Sequence, residues 1–390
     1  MGGRVHLLPN YTTGLEPNGS WGVRELGGIE NWKVLSGAAT GYLLEVATGH
    51  QHTFAYLHDT PFALTGIYTS LQGAVAGADI TTAYVAHASA LAHELPLPNP
   101  ERLMVESAAI HWAKFAPNCF VGAISHYMQH QLTGSYGARP QDVLPVHNGI
   151  APTSPWYRQR PTGEIAATLQ RYGVPTDRPL LVSFGRAAEF KRHDLTVRAA
   201  GELAGRAHLV LMTDPERPDL RRLAEQVCPD STLLASFDRE LVACLIQWER
   251  TAAVILLSEG EPCGIMPMEA RLLARTTGGV LVLADSGGFS EQATDEADAF
   301  LCAPGDAHAA AGALARALAM RHEERERMRN CSASRVLDEY TWQGQTLRTL
   351  SAVYPEVSLV ADAVLSRLRE VLSPSLEPST ERSLAYSAAG

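Results

Sequence analysis

The sequence has no C-x-x-C pair, no long apolar run and no excess of basic charge. Its six cysteines, at 119, 228, 244, 263, 302 and 331, are scattered, so neither a disulfide framework nor a thiolate metal cluster is expected. A reduced, cytoplasmic setting is the expectation that follows. The opening "MGGRVHLLPNYTT" lacks the apolar core of a signal peptide. No later stretch approaches the ~18 to 20 continuous apolar residues that a membrane span needs. Acidic residues outnumber basic ones, 42 to 32, for a formal net charge of -10. That balance repels phosphate backbones and anionic lipid, so nucleic acid and membrane surfaces are not expected as partners. A small phosphorylated ligand needs only a few local cations and stays open. Internal repeats at periods of 20 to 50 residues are also missing.

What is present is enough apolar material, 46% of 390 residues, to fill more than one core. Short apolar runs alternate with longer helical patterns in both halves. The first half offers "RVHLLP", "TFAYLH", "TTAYVAH", "CFVGAIS" and "VLPVHNG" as strands, with helices over 29–47 and 101–117. The second offers "PLLVSFG", "HLVLMTD", "STLLASF", "AAVILLS", "GVLVLAD" and "AFLCAP". Continuous apolar strands alternating with helices predict parallel sheets covered on both faces. The fold class is therefore α/β, with two doubly wound Rossmann-like domains. The Pro-rich, aperiodic stretch "GIAPTSPWYRQRPTG" (149–163) marks the seam. Residues 1–155 form the N-terminal domain, 156–345 the C-terminal domain, and 346–372 terminal helices that return toward the first domain. The Ser/Pro-rich stretch 373–390 reads as a disordered tail.

In open α/β sheets, ligands bind beyond the carboxyl ends of the strands. The strand "AAVILLS" runs directly into "EGEPCGIMPMEARLLAR", where Glu261 and Glu269 flank a loop containing Gly264 and two prolines. Pro262 and Pro267 exclude a helix interior across the gap. Beyond Pro267 the pattern turns helical, which places Glu269 in a first turn and Glu261 on the loop before it. Backbone N–H groups at such a helix start favour an anion or a polar hydroxyl, and an ionised carboxylate can accept two hydrogen bonds from a diol. Equally open from the residues alone is a plainer reading. Glu269 would then complement the helix dipole, with Glu261 a solvated loop charge.

The segment "SEGEPCGIMPMEA" resembles the Glu-x7-Glu signature of retaining glycosyltransferases of the GT-B fold, family 4 type, the glycosyl transferases group 1. "FGRAAEFKRHDLTVRAA" is similar to the Gly-Arg-x4-Lys segment that opens their C-terminal domain. "VLPVHNGI" resembles their interdomain strand without its Asp, and "ADSGGFSE" the Gly-Gly turn after the next strand. "APGD" (303–306) and "YTWQGQTLRTLSAVY" (340–354) resemble a late strand exit and a Trp-bearing final helix. In the first half, "GGIE" (27–30), "YVAHAS" (84–89) and "GAISHYMQHQL" (122–132) resemble the Gly-Gly loop, the strand-exit His and a helix start. The motifs span nearly the whole chain in the family's order. There are departures. "TDP" follows "HLVLM" where a Gly-x-Gly turn is common, and Cys263 stands where an aromatic is usual beside Gly264.

The resemblance implies two Rossmann-like domains facing a central cleft, and roles for particular residues. Arg186 and Lys191 would grip the donor diphosphate as fixed cations. Glu269 would hold the ribose hydroxyls. Glu261, with the loop of Cys263, Gly264 and Ile265, would hold the transferred sugar. Gly27 and Gly28 would let the first loop approach the phosphates without a Cβ. His87 would orient the sugar near the reacting carbon, and His58 would contact the acceptor. The implied activity is transfer of a sugar from a nucleotide-diphosphate sugar to a small soluble hydroxylated acceptor, with retention. A nucleoside diphosphate leaves readily, and no Asp-x-Asp pair is placed to bridge it through a divalent ion, so no metal and no cofactor is expected. A nucleotide-sugar epimerase, a cyclitol-coupling synthase and a catalytically silent partner subunit are the competing readings.

Overall fold

The computed structural model describes residues 28–93 and 97–372. The expected strand "RVHLLP" and the tail 373–390 lie outside the described residues. The chain divides into two compact units. The first holds the residues up to Asn148 together with Gln345–Pro355, and the second holds Gly149–Gly344 together with the residues from Glu356 onward. The backbone thus passes from one unit to the other three times.

Among the described residues of the first unit, four parallel strands lie in chain order: β1 (Thr53–His58), β2 (Ile80–Ala86), β3 (Cys119–Ala123) and β4 (Val143–Pro145). β2 is buried at all seven positions, as expected of a strand covered on both faces. Its register sets Leu57 opposite Tyr84 and Tyr84 opposite Val121. Helices Gly28–Ala47, Ala63–Ala76 and Pro100–Trp112 belong to this unit, with Trp32 fully buried beneath the first. Asn99 caps the third through Glu101 N and Arg102 N, and Ser125 caps helix His126–Gly134 through Met128 N, both using short polar side chains for orphan donors.

The second unit has six parallel strands: β5 (Leu180–Arg186), β6 (His208–Asp214), β7 (Ser231–Leu234), β8 (Thr251–Leu256), β9 (Val280–Ala284) and β10 (Phe300–Cys302). Their spatial order is β10-β9-β8-β5-β6-β7. The chain therefore builds outward from β5 through β6 to β7, then returns to the other side of β5 to lay down β8, β9 and β10. β5 and β8 are neighbours whose connections leave in opposite directions, which makes them the topological switch point of the sheet. Leu181, Leu209, Ile255 and Val282, all nearly inaccessible, belong to one core with Val197 of helix His193–Gly201 and Leu314 of helix Ala307–Ala319. Asp238 and Asp306 cap helices Arg239–Gln247 and Ala307–Ala319 through their side chains. No helix among the described residues is long and apolar enough to cross a membrane.

One buried charge holds the exit of β2. Glu106, 1% exposed, accepts from Arg102 Nε at 2.5 Å, Tyr136 OH at 2.5 Å, Thr60 Oγ1 at 3.2 Å and Ala90 N at 3.0 Å. Arg102 also donates to Ala88 O at 2.6 Å, and Leu91 N donates to Tyr136 OH at 3.2 Å. The segment after His87 is thereby tied to helix Pro100–Trp112. Breaking a buried ion pair from one side strands the other charge, at a cost of about 3–5 kcal/mol. Glu106→Ala is accordingly expected to destabilise the first unit by that order. Hydrogen exchange at Ala90 and Leu91 should speed up well before exchange in β6 of the second unit changes.

Candidate functional site

The switch point of the second unit gathers two loops. β5 ends at Arg186, passes through a 3-10 turn, Glu189–Lys191, and enters helix His193–Gly201 through Arg192 in the left-handed region at φ +50°. β8 leads through Ser258 and Glu259 into Gly260–Ile265 and then helix Met266–Leu273. The loops are stitched at their bases, where Glu259 N donates to Phe190 O at 2.8 Å. The side chains complete the join. Lys191 Nζ lies 2.5 Å from Glu261 Oε2, with only 7% and 13% of the two side chains exposed. Beside them Arg192 pairs with both Glu259 and Asp194. Arg186 is exposed at the strand end, and its backbone carbonyl accepts from His193 Nε2 at 3.2 Å. Burial lowers His193 to about 4, which keeps the ring neutral and leaves Nε2 as the donor.

The loop carrying Glu261 is fixed from behind by the turn after β9. Gly288 N donates to Glu261 O at 2.7 Å, and Gly260 N donates to Ser286 Oγ at 3.0 Å. Neither Gly287 nor Gly288 can carry a side chain here. A Cβ on the first, already at φ +59°, would sit 2.5 Å from Glu261 O, and one on the second 2.5 Å from Cys263 Cα. Gln292 Nε2 donates to the Cys263 carbonyl and, at 3.0 Å, to Gly264 O. Cys263 itself is buried, and Gly264 at φ +79° lies against the fully buried ring of Phe289. Ile265, by contrast, is exposed.

Glu269 occupies the first turn of the helix that follows, and Pro267 at that helix start has no N–H to leave unpaired. Burial raises the Glu269 carboxyl above the ordinary glutamate range, against the opposing effects of Arg239 and Tyr157. Arg239 Nη2 is 3.7 Å from Glu269 Oε1. Lys191, Glu261, the loop 263–265 and Glu269 thus share one end of this sheet, and Arg186 lies at the end of its central strand.

The first unit brings its two predicted histidines together. His58 ends β1 and His87 follows β2, and their rings meet with His58 Nδ1 2.8 Å from His87 Nε2. Desolvation, then the neighbouring imidazole, lower the pKa of His58. A single proton can sit between the two nitrogens, so one ring donates while the other accepts. The His87 backbone is held as well, its N–H donating to Asp59 Oδ1 at 3.3 Å. Gly28 begins its helix at φ +70°, and Ile29 N donates there to Glu101 Oε2 at 3.1 Å. The anion at this helix start is the chain's own carboxylate. Gly27 lies outside the described residues.

Several participants carried no sequence signal: Glu259 and Arg192 beside the Lys191–Glu261 pair, Phe289 behind Gly264, and Tyr157 and Arg239 at Glu269. Among the described residues no group of three His, Cys, Asp or Glu is arranged to hold a metal ion.

Residues 165–335, inside the second unit, match the family model "Glycosyl transferases group 1". No curated protein matches the chain. Among solved structures, a sucrose-phosphate synthase from Thermosynechococcus elongatus is similar, with a TM-score of 0.64 at 17% identity over 84% of this chain and 79% of that one. HepE from Anabaena, in complex with UDP and glucose, gives 0.61 at 16% identity over 80% of each chain. The catalytic domain of starch synthase IV from Arabidopsis thaliana, bound to ADP and acarbose, gives 0.60 at 17% identity over 90% and 79%.

The buried histidines set an acid limit on stability. Burial lowers His147 as well as His193 to about 4. Below their ordinary pKa of about 6.5 the unfolded chain takes up protons that the folded chain refuses. Their contribution is therefore complete above that value and is lost as pH falls toward 4. Urea midpoints should decrease steadily from pH 7 to pH 4.5, and His193→Gln should flatten that slope.

Proposed function

We propose that this chain, which carries a glycosyl transferases group 1 domain on a GT-B fold, moves a sugar from a nucleotide-diphosphate sugar to a small soluble hydroxylated acceptor, with retention and without a metal. The observation that carries the reading is the pairing of Lys191 with Glu261 at the switch point of the second sheet. A fixed cation and a fixed hydroxyl acceptor stand side by side where such sheets receive ligands. A nucleoside diphosphate and a sugar joined to it ask for those two groups in that adjacency.

In this reading Lys191 and Arg186 stabilise the charge that builds on the leaving diphosphate. Arg186, exposed at the strand end, supplies a second cation without a buried partner to give up. Glu261, with the backbone of Gly264 and Ile265, holds the hydroxyls of the transferred sugar, and Glu269 takes the ribose. His87 orients the sugar, and His58, whose Nδ1 lies 2.8 Å from His87 Nε2, contacts the acceptor. The acceptor's proton passes to the departing phosphate oxygen as the new glycosidic bond forms on the face the phosphate leaves. Solved neighbours are described in complex with UDP and glucose, and with ADP and acarbose. Such complexes support a nucleotide and sugar ligand here.

An epimerase would keep Lys191 and Glu269 and would differ in its product. A silent subunit would have no need to retain the Lys191–Glu261 pair, and the intact pair favours an enzyme.

A thermal-shift screen against UDP, GDP, ADP and dTDP, with and without EDTA, tests the donor site. The expected result is a rise with at least one nucleotide that EDTA leaves unchanged. Lys191→Met should abolish that rise and lower turnover about a hundredfold or more, the usual order for losing one transition-state charge stabiliser. Retention of full nucleotide affinity in Lys191→Met would sink the assignment.

A further inference from the structure

We infer that Tyr157 and Arg239 are positioning residues for the Glu269 carboxylate, and that the three together let the second unit tell a ribonucleoside diphosphate from its 2′-deoxy counterpart. The inference rests on the reading of Glu269 as the ribose acceptor given above.

A carboxylate that grips a vicinal diol must stay ionised, and must present both oxygens in one orientation. A glutamate on a first helical turn does neither by itself. Its side chain has three torsions, and partial burial favours the protonated acid, which holds Glu269 above its ordinary range. Two residues from separate segments counter this. Tyr157 closes the 3-10 turn Pro155–Tyr157 and is 5% exposed, and its hydroxyl favours the ionised form of Glu269. Arg239 opens helix Arg239–Gln247 and reaches the same carboxylate from another side. These are the titratable and charged groups that act on Glu269.

Both partners are themselves braced. The Arg239 guanidinium lies 4.2 Å from the centre of the Trp156 ring, a cation–π contact that fixes its plane. Arg160 lies 5.4 Å from the same ring and is locked by two hydrogen bonds to Glu240, at 2.6 and 2.8 Å. Arg275 Nη1 donates to the Tyr157 carbonyl at 2.6 Å, pinning the backbone that carries the hydroxyl. The seam "SPWYRQR" is thus a built part of the site wall.

The separation of 3.7 Å between Arg239 and Glu269 carries information. It is too long for a hydrogen bond, so the guanidinium supplies charge without consuming a lone pair. A carboxylate offers about four acceptor sites. These sites lie on a side chain that is 30% exposed. A 2′,3′-diol can engage two of them, whereas a 2′-deoxyribose engages one.

The test uses the full chain and calorimetric dissociation constants for UDP and dUDP, GDP and dGDP, and ADP and dADP. The unaltered protein is expected to prefer the ribonucleotide of the pair it binds by about tenfold or more, the order set by one hydrogen bond to a charged group. Tyr157→Phe and Arg239→Gln are each expected to reduce that preference severalfold, with deoxynucleotide affinity held within about twofold. In Arg239→Gln the preference should also fade at a higher pH than in the unaltered protein, because a carboxylate without its cation takes up a proton sooner. A preserved ribose preference in both variants, or an equal loss for both members of a pair, would overturn the inference and leave Glu269 in place. A preference unchanged in Glu269→Gln, or no binding of any of the six, would instead remove the ribose reading and the inference with it.

Discussion

The constraint on which the candidate site depends is an absence of side chains. Gly287 and Gly288 let the turn after β9 press directly against the loop after β8, close enough for Gly288 N to reach Glu261 O at 2.7 Å. A Cβ at either position would meet backbone, which cannot swing aside as a flexible side chain can. Because that loop is fixed, Glu261 has one place to stand, and Lys191 can be buried against it. A cation so far from water would otherwise be costly. Removing the two glycines would therefore disturb the Lys191–Glu261 charge pair through the Glu261 backbone.

The sheet gives this local packing its location. β5 and β8 diverge at the switch point, so the segments that follow them open a crevice instead of covering each other. Every group assigned to the donor in the second unit follows one of those two strands. The first unit follows the same rule on a smaller scale. His58 and His87 follow the neighbouring strands β1 and β2, and the buried Glu106 network fixes the turn that His87 enters. In both units a polar pair at strand ends is supported by a further layer of hydrogen bonds.

Much of this was legible in the sequence because it is local. "TFAYLH" and "HLVLMTD" coincide residue for residue with β1 and β6, and for β6, buried along its five central positions, the apolar run follows from cover on both faces. The position of Glu269 in a first helical turn followed from Pro267. The contacts that shape the site are not local. Phe289 against Gly264, Arg192 on Glu259 and Tyr157 beside Glu269 join residues that no helical or strand period relates. The seam around Tyr157 read as a linker, because proline and aperiodicity report where regular structure stops, not what a side chain there touches. The helix start at Gly28 shows the same limit from the other side. The N–H of Ile29 there donates to Glu101, 72 residues on, a pairing that no local pattern reveals.

The three passages of the backbone between the units have a consequence for synthesis. The stretch Gln345–Pro355 completes the first unit, and Thr349 there donates to Pro145 O at 2.5 Å. A ribosome delivers that stretch only after the whole six-stranded sheet of the second unit has emerged. Folding in order of synthesis, the usual habit of multidomain chains, is therefore interrupted here. The unit begun first is completed only after the sheet of the second has emerged, and in the interval it waits with its β4 edge short of the helix that closes it.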